Sequence, residues 1–203
     1  MCGRFTLTRA EIDDVAREVG AVADAEAAAE HRPRWNIAPT DQTIVVVGEG
    51  GVRKLTRARW GMGERRQINW RAERKLLPRR CLVPADGFYE WRGKQPIWFH
   101  DPGGRLLLLA GLYEETRHGL AFAVVTGPAN PDVEATHDRM PVLIPPAEAS
   151  AWLAGEIPAL PPPPPGTLAT REVSPRVGNV RNDDPELLKV EGQLDLLTGR
   201  RPP

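Results

Sequence analysis

The chain is short of several things, and each shortage narrows what it can be. No apolar run approaches the roughly 18 residues needed to span a bilayer, so no transmembrane helix is expected. The first ten positions carry polar and charged residues, so no secretory leader is read there and the cytoplasm is the expected compartment. Two cysteines, Cys2 and Cys81, make a poor disulfide framework and point to a reducing environment. Neither His-x-x-x-His nor Cys-x-x-Cys spacing occurs, so neither a metal nor a cofactor is expected. There is no internal repeat. Net charge is zero, which argues against a globally basic nucleic-acid binder.

What is present fits one domain over residues 1–203, with ordinary hydrophobic and charged content. The charge is unevenly spread: from Arg32 to Lys94, 15 Lys/Arg stand against 6 Asp/Glu, while acidic residues collect in 11–30 and 183–191. Such asymmetry builds a basic patch on a neutral protein or merely decorates its surface.

Thr8-Arg9-Ala10-Glu11 fits a capping box, followed by Ile12, Val15, Ala16 and Val19 at helical spacing and Gly20 as a stop. Residues 21–30, rich in Ala and Glu, read as a helix extension or a connector. The period then becomes two. Thr43–Val47, Gly48-Glu49-Gly50-Gly51 and Val52–Trp60 predict a hairpin. Short strands are expected at Cys81–Val83 and Phe88–Trp91, and a second hairpin joins Pro96–His100 to Arg105–Tyr113 through Asp101-Pro102-Gly103-Gly104. A buried strand is expected at Ala121–Thr126, a short helix at Pro145–Ala154 ended by Gly155, and a returning strand near Ala169–Val173. The prolines within 161–166 form a stiff internal spacer, and 190–203 read as a tail. Successive strands with few helices give an α+β fold on antiparallel sheet.

Five clusters could carry chemistry. If Met1 is removed, Cys2 offers an α-amine and a thiol two carbons apart, with ordinary pKa values of about 8 and about 8.5. An aldehyde condenses with the amine to an imine, which the thiol closes to a thiazolidine; an internal cysteine, whose nitrogen is an amide, has no such route. Taken alone, the position fits a small buried residue at a strand start better. In an extended Asn69-Trp70-Arg71-Ala72-Glu73, the amide, guanidinium and carboxylate share one face, suited to a polar ligand or simply to water. In Gly87-Phe88-Tyr89-Glu90-Trp91, Glu90 is either desolvated among aromatics or turned to solvent. His137 in Thr136-His137-Asp138-Arg139-Met140-Pro141 is a general base with Asp138 or Arg139 fixing the turn, or an exposed loop histidine. Val177-Gly178-Asn179-Val180-Arg181-Asn182 offers backbone amides to an anion, a weak signal by itself.

In order and wording these segments resemble the SRAP family of abasic-site processing proteins, named as SOS-response-associated peptidases. The motifs are MCGRF at the start, NIAPT at Asn36–Thr40, RWG at Arg59–Gly61, NWRAE at Asn69–Glu73, GFYEW at Gly87–Trp91, THDRMP at Thr136–Pro141 and VGNVRN at Val177–Asn182. The resemblance implies a curved, barrel-like antiparallel sheet with peripheral short helices. It implies a monomeric protein of the DNA-damage response that captures abasic sites in single-stranded DNA and engages no membrane. Cys2 would form the thiazolidine crosslink with the abasic aldehyde, and Asn69 would hold cysteine and sugar in register. Glu90 would position the amine and assist sugar ring opening. His137 would serve Schiff-base chemistry, lyase-type strand scission and crosslink reversal. Arg4 and Arg71 would bind phosphates, and Asn36 and Pro39 would frame the DNA groove. The family name also suggests an alternative, a cysteine peptidase using Cys2 with His137 as base. Two departures stand out. The family's proline and tryptophans after RWG are replaced by Met62-Gly63-Glu64-Arg65-Arg66, and Trp70 replaces its usual alanine, as an aromatic able to stack on bases.

Overall fold

The computed structural model describes residues 2–189; the tail expected at 190–203 lies outside them. The strands are β1 (Phe5–Leu7), β2 (Val22–Ala23), β3 (Arg34–Ile37), β4 (Gln42–Glu49), β5 (Val52–Trp60), β6 (Asn69–Arg71), β7 (Arg80–Ala85), β8 (Gly87–Arg92), β9 (Gln95–His100), β10 (Leu107–Thr116), β11 (Gly119–Pro128), β12 (Arg139–Pro141) and β13 (Ala169–Glu172). The helices are α1 (Ile12–Val19), α2 (Ala25–Glu30), α3 (Pro131–Glu134) and α4 (Ala149–Ala154), with 3-10 turns at Pro146–Glu148, Pro175–Gly178 and Pro185–Leu188.

The first hairpin forms as its sequence dictates. Thr43–Val47 are β-branched and buried, and the Gly50-Gly51 loop takes positive φ at both residues, the two-residue turn that matches strand twist. The register runs from Gln42↔Arg59 to Glu49↔Val52. Around this hairpin the chain closes a barrel. Antiparallel pairing runs β5–β4–β7–β10–β11, and β11 returns to β5 in parallel through Leu120↔Ala58, Ala121↔Arg59 and Phe122↔Trp60. The antiparallel barrel-like core is thus present, sealed by one parallel seam. Short β6 also lies parallel to β11, with Asn69 opposite Val124.

A second sheet, in the order β13-β9-β8-β1-β3, packs against the barrel. Phe5, Ile37, Phe88 and Phe99 share one buried core with Trp60, Leu82, Leu109 and Phe122. Trp60 links the two layers, with its ring 5.1 Å from Phe5 and 6.1 Å from Phe122. On the far face of the second sheet, Tyr89, Trp98, Val173, Val177 and Leu187 build a smaller core. Strand β8 is therefore buried on both faces, so alternation along it assigns no face to water.

Three local expectations are corrected. Helix α1 is preceded by Glu11 with no side-chain cap, because Thr8 donates its amide to Asp86 across the sheet and is not at the helix start. Residues 21–30 are neither extension nor connector: they hold the edge strand β2 and helix α2, whose cap Asp24 accepts from Ala27 N at 2.7 Å. The expected pairing of 96–100 with 105–113 does not form. Strand β9 pairs β8 and β13, whereas β10 pairs β7 and β11, so the turn between them carries the chain from one sheet to the other. Buried Asp101 braces that crossing by accepting from Gly103 N at 2.8 Å and from the Arg105 backbone and guanidinium. Helix α4 does end at left-handed Gly155, and β13 does return to the sheet. Among the described residues no helix is long and apolar enough to cross a membrane.

Candidate functional site

The seam between barrel and second sheet gathers four of the residues singled out above. Register Phe5↔Phe88 and Thr6↔Gly87, extended one step by the Tyr89 amide donating to the Arg4 carbonyl at 3.0 Å, runs the N-terminal segment alongside Glu90. On its other side β8 lies tightly against β9 at Gly87, where a Cβ would lie 2.4 Å from the Phe99 carbonyl oxygen. From the barrel side, Asn69 donates through Nδ2 to the Cys2 carbonyl at 2.8 Å. Strand β6 is placed for this by the Trp60 indole, which donates to Ile68 O at 2.9 Å, and by the Gln67 side chain, whose Nε2 donates to Asn69 O at 3.0 Å. His137 arrives on the turn between α3 and β12, where its own amide donates to Val133 O at 3.0 Å. Cys2 and Glu90 thus come from one sheet, Asn69 and His137 from the strands and turn attached to β11.

The electrostatics follow from burial. Cys2 is wholly enclosed, and this pushes its thiol well above the ordinary range, with the nearby Glu90 charge acting in the same direction. Glu90 is 3% exposed, and its burial raises the carboxyl above the usual range while His137 opposes the rise. The desolvated reading of Glu90 is the one the fold adopts. Burial also lowers the half-buried Arg4 guanidinium, with Asp41 opposing. A buried thiol beside a carboxyl, held at a chain terminus by an amide, is poorly suited to supply a resting thiolate. Among the described residues no group of three His, Cys, Asp or Glu side chains is placed to hold a metal ion.

The other singled-out residues separate into surface and frame. Arg71 is exposed at the end of β6, and Pro39 is half-buried in the loop that follows β3. Trp70 is half-buried and packs against the core, with its indole N–H buried and unpartnered among the described residues. Asn36 sits in β3 instead of a groove-lining loop and is wholly buried. Its amide donates to Val177 O (3.1 Å), Asn179 O (3.1 Å) and Asn182 O (2.8 Å). It reaches the surface only through the 177–182 segment it holds. Glu73 does not share an extended face with Asn69, because β6 ends at Arg71; it turns to Arg139 instead. Sequence reasoning missed Asp183, which accepts from the Trp35 and Asn36 amides at 2.6 and 3.0 Å and pairs with Arg34. Its place in an acidic stretch gave no sign of that contact. A cleft of about 320 Å³, lined by His31, Arg32, Arg34, Asp41 and Arg57 among others, includes none of the four seam residues.

Comparison with known proteins settles the kinship. The family model described as SOS response associated peptidase (SRAP) matches residues 1–180. The chain belongs to the SRAP family. Among curated relatives of SRAP type, the abasic site processing protein YoqW of Bacillus subtilis is 30% identical over 93% of this chain and 99% of its own. The abasic site processing protein YedK of Escherichia coli is 26% identical over 93% and 99%. The abasic site processing protein HMCES of Gallus gallus is 34% identical over 56% of this chain and 44% of its own. A solved structure from Bacteroides thetaiotaomicron overlays with a TM-score of 0.73 at 18% identity, covering 93% of this chain and 99% of that one. Another from Bordetella bronchiseptica gives 0.68 at 20%, covering 85% and 100%. These two likenesses bear on the fold, and they agree with the α+β, barrel-like architecture.

Proposed function

We propose that this chain processes abasic sites in single-stranded DNA by capturing them covalently on Cys2 once Met1 is removed. The observation that carries the reading is the Asn69-to-Cys2 hydrogen bond at 2.8 Å beside buried Glu90, which anchors the second residue of the chain where a freed α-amine would meet a proton-managing carboxyl. The names of the SRAP relatives supply the substrate class.

The chemistry balances as a condensation. Hydrolysis of the Met1–Cys2 peptide frees the amine. The amine adds to the aldehyde carbon of the ring-opened deoxyribose, and loss of one water leaves a protonated imine. Sγ then adds to the same carbon and surrenders its proton, closing a thiazolidine with one new C–N and one new C–S bond. Glu90, with its raised carboxyl, transfers protons during ring opening and dehydration. Asn69 fixes the nucleophile, and His137 exchanges protons at the imine stage, where strand scission and reversal also begin. Arg4 and exposed Arg71 bind phosphates through charge, with no base code. A peptidase built on a Cys2–His137 thiolate–imidazolium pair is less well served, because the buried thiol lies beside a carboxyl that raises it further.

The test is a denaturing gel of the protein with single-stranded DNA carrying one abasic site, run beside intact-mass spectrometry. A band shifted by the protein's mass, present only when Met1 is absent, is expected. A stable adduct formed by chains that retain Met1 would sink the reading.

A further inference from the structure

His137 is held by a device that runs through Arg139 to Glu73. The Arg139 side chain is 10% exposed and is gripped in bidentate fashion, Nη1 donating to Glu73 Oε1 at 2.7 Å and Nη2 to Oε2 at 3.0 Å. Nη2 also donates to the Thr126 carbonyl at 2.6 Å. The hydrogen bond from Arg139 keeps the Glu73 carboxyl down at about 2, so the clamp stays charged throughout the neutral range. One side chain thereby ties β12 to β11 and to the segment that follows β6.

The backbone amide of the same Arg139 donates to Nδ1 of His137 at 2.9 Å. A neutral imidazole whose Nδ1 accepts a hydrogen bond carries its proton on Nε2. Asp138 Oδ1 also lies 2.9 Å from Nδ1, but a carboxylate bonds that nitrogen only when it bears the proton. For a neutral ring the two contacts exclude each other. The Arg139 amide is fixed by the pairing of Arg139 with Pro128 and by the guanidinium clamp, whereas the Asp138 side chain is 87% exposed and readily solvated. Among the described residues, Asp138 on its own turn and Glu90 on β8 are charged groups that act on the ring.

We propose that Glu73 and Arg139 are positioning residues that select the Nε2–H form of His137, by pinning the Arg139 amide against Nδ1 in preference to the Asp138 carboxylate. The consequence for catalysis rests on the role of His137 proposed above: the ring presents a proton donor, not an acceptor, on its Nε2 side. The tautomer selection itself does not depend on that role.

The measurement is a long-range ¹H–¹⁵N correlation spectrum of histidine-labelled protein at about pH 8.5, where an ordinary imidazole is neutral, with His137 assigned from a His137→Gln control. Wild type is expected to show widely separated ring nitrogens with Nε2 protonated. Glu73→Ala should move the tautomer ratio toward Nδ1–H by about fivefold, the worth of one hydrogen bond. Glu73→Ala combined with Asp138→Asn should restore the wild-type pattern, because the competing carboxylate is gone. Should Glu73→Ala fold poorly, Arg139→Lys keeps the charge, loses the bidentate grip and makes the same prediction. An unchanged tautomer ratio in these variants, or a changed one that Asp138→Asn leaves uncorrected, overturns the proposal. The crosslinking gel is read separately. Absence of adduct in wild type would end the functional reading while leaving the tautomer measurement intact. A Glu73→Ala protein that loses DNA affinity with no tautomer change would count Arg139 as a phosphate contact and also overturn the proposal.

Discussion

Two cysteines lie wholly buried in this chain, and burial pushes both thiols well above their ordinary range. Cys81 sits in the barrel wall on β7, between Val47 of β4 and Gly111 of β10, with its carbonyl taken by the Trp152 indole at 2.9 Å. It fills space, as a free buried cysteine usually does. Cys2 stands at the seam, with the Asn69 amide on its carbonyl and the Glu90 carboxyl nearby. Neither burial nor thiol acidity tells the two apart. Their difference lies in the polar groups of the seam, and in a backbone nitrogen that the Met1 removal proposed above would convert from amide to amine.

The sharpest way to break this comparison is to delete each thiol. Cys2→Ala should lower stable adduct on abasic DNA by at least about 100-fold, whereas Cys81→Ala should leave it within about twofold. Equal adduct from both variants, on a denaturing gel, would dissolve the distinction. Next in size is a packing test of the barrel side. A Cβ on Gly111 would lie 2.6 Å from Cys81 Sγ, so Gly111→Ala should cost about 2–3 kcal/mol and several degrees of Tm. Adding Cys81→Ala should recover most of that loss in a thermal melt, and adding Cys2→Ala should recover none. On the seam side, Glu90→Gln should slow crosslinking about 10–100-fold. It should also flatten the rate–pH profile wherever the raised carboxyl titrates in wild type. A Gln variant that keeps the wild-type profile would place the titrating group elsewhere.

The smallest effect concerns the frame around His137. Glu73 has its folded value lowered from 4.5 to about 2 by the Arg139 hydrogen bond. A lowered carboxyl lends stability that is full above 4.5 and is lost as pH falls through about 2. Because the Glu73 side chain is 54% exposed, solvent screening trims the contribution to about 1 kcal/mol. Urea melts should therefore show wild type ahead of Glu73→Gln at about pH 6, with the gap narrowing below about pH 4.5 and closing only as the pH nears 2. A gap that widens on acidification would reverse the sign of the linkage.

Much of this architecture is legible in the residue order. The β4–β5 hairpin follows from β-branched alternation around Gly50-Gly51, and the ends of α1 and α4 follow from Gly20 and Gly155, because these signals act over a few residues. The crossing at Asp101 is not, since a turn sequence states that the chain reverses but not which sheet receives it. Thr8 suits a helix cap locally and is claimed by Asp86, 78 residues away. At the site, the resemblance names Cys2, Asn69, Glu90 and His137, but it does not show that Asn36 faces inward or that Glu73 belongs to Arg139, 66 residues along the chain. Those are pairings between distant segments, and no periodicity encodes them.

By itself, then, the amino-acid order determined the strand and turn inventory, and the placement of a cysteine at position 2. Backbone dihedral preferences and apolar spacing are short-range, and they suffice for that much. Only the folded chain decided that β11 closes the barrel in parallel on β5, and that residues from two sheets meet where the barrel packs on the second sheet. Only the fold, too, turns Nδ1 of His137 toward the Arg139 amide. Burial and hydrogen bonding across long chain separations make those choices, because each group's partner and dielectric surroundings exist only once the layers have packed.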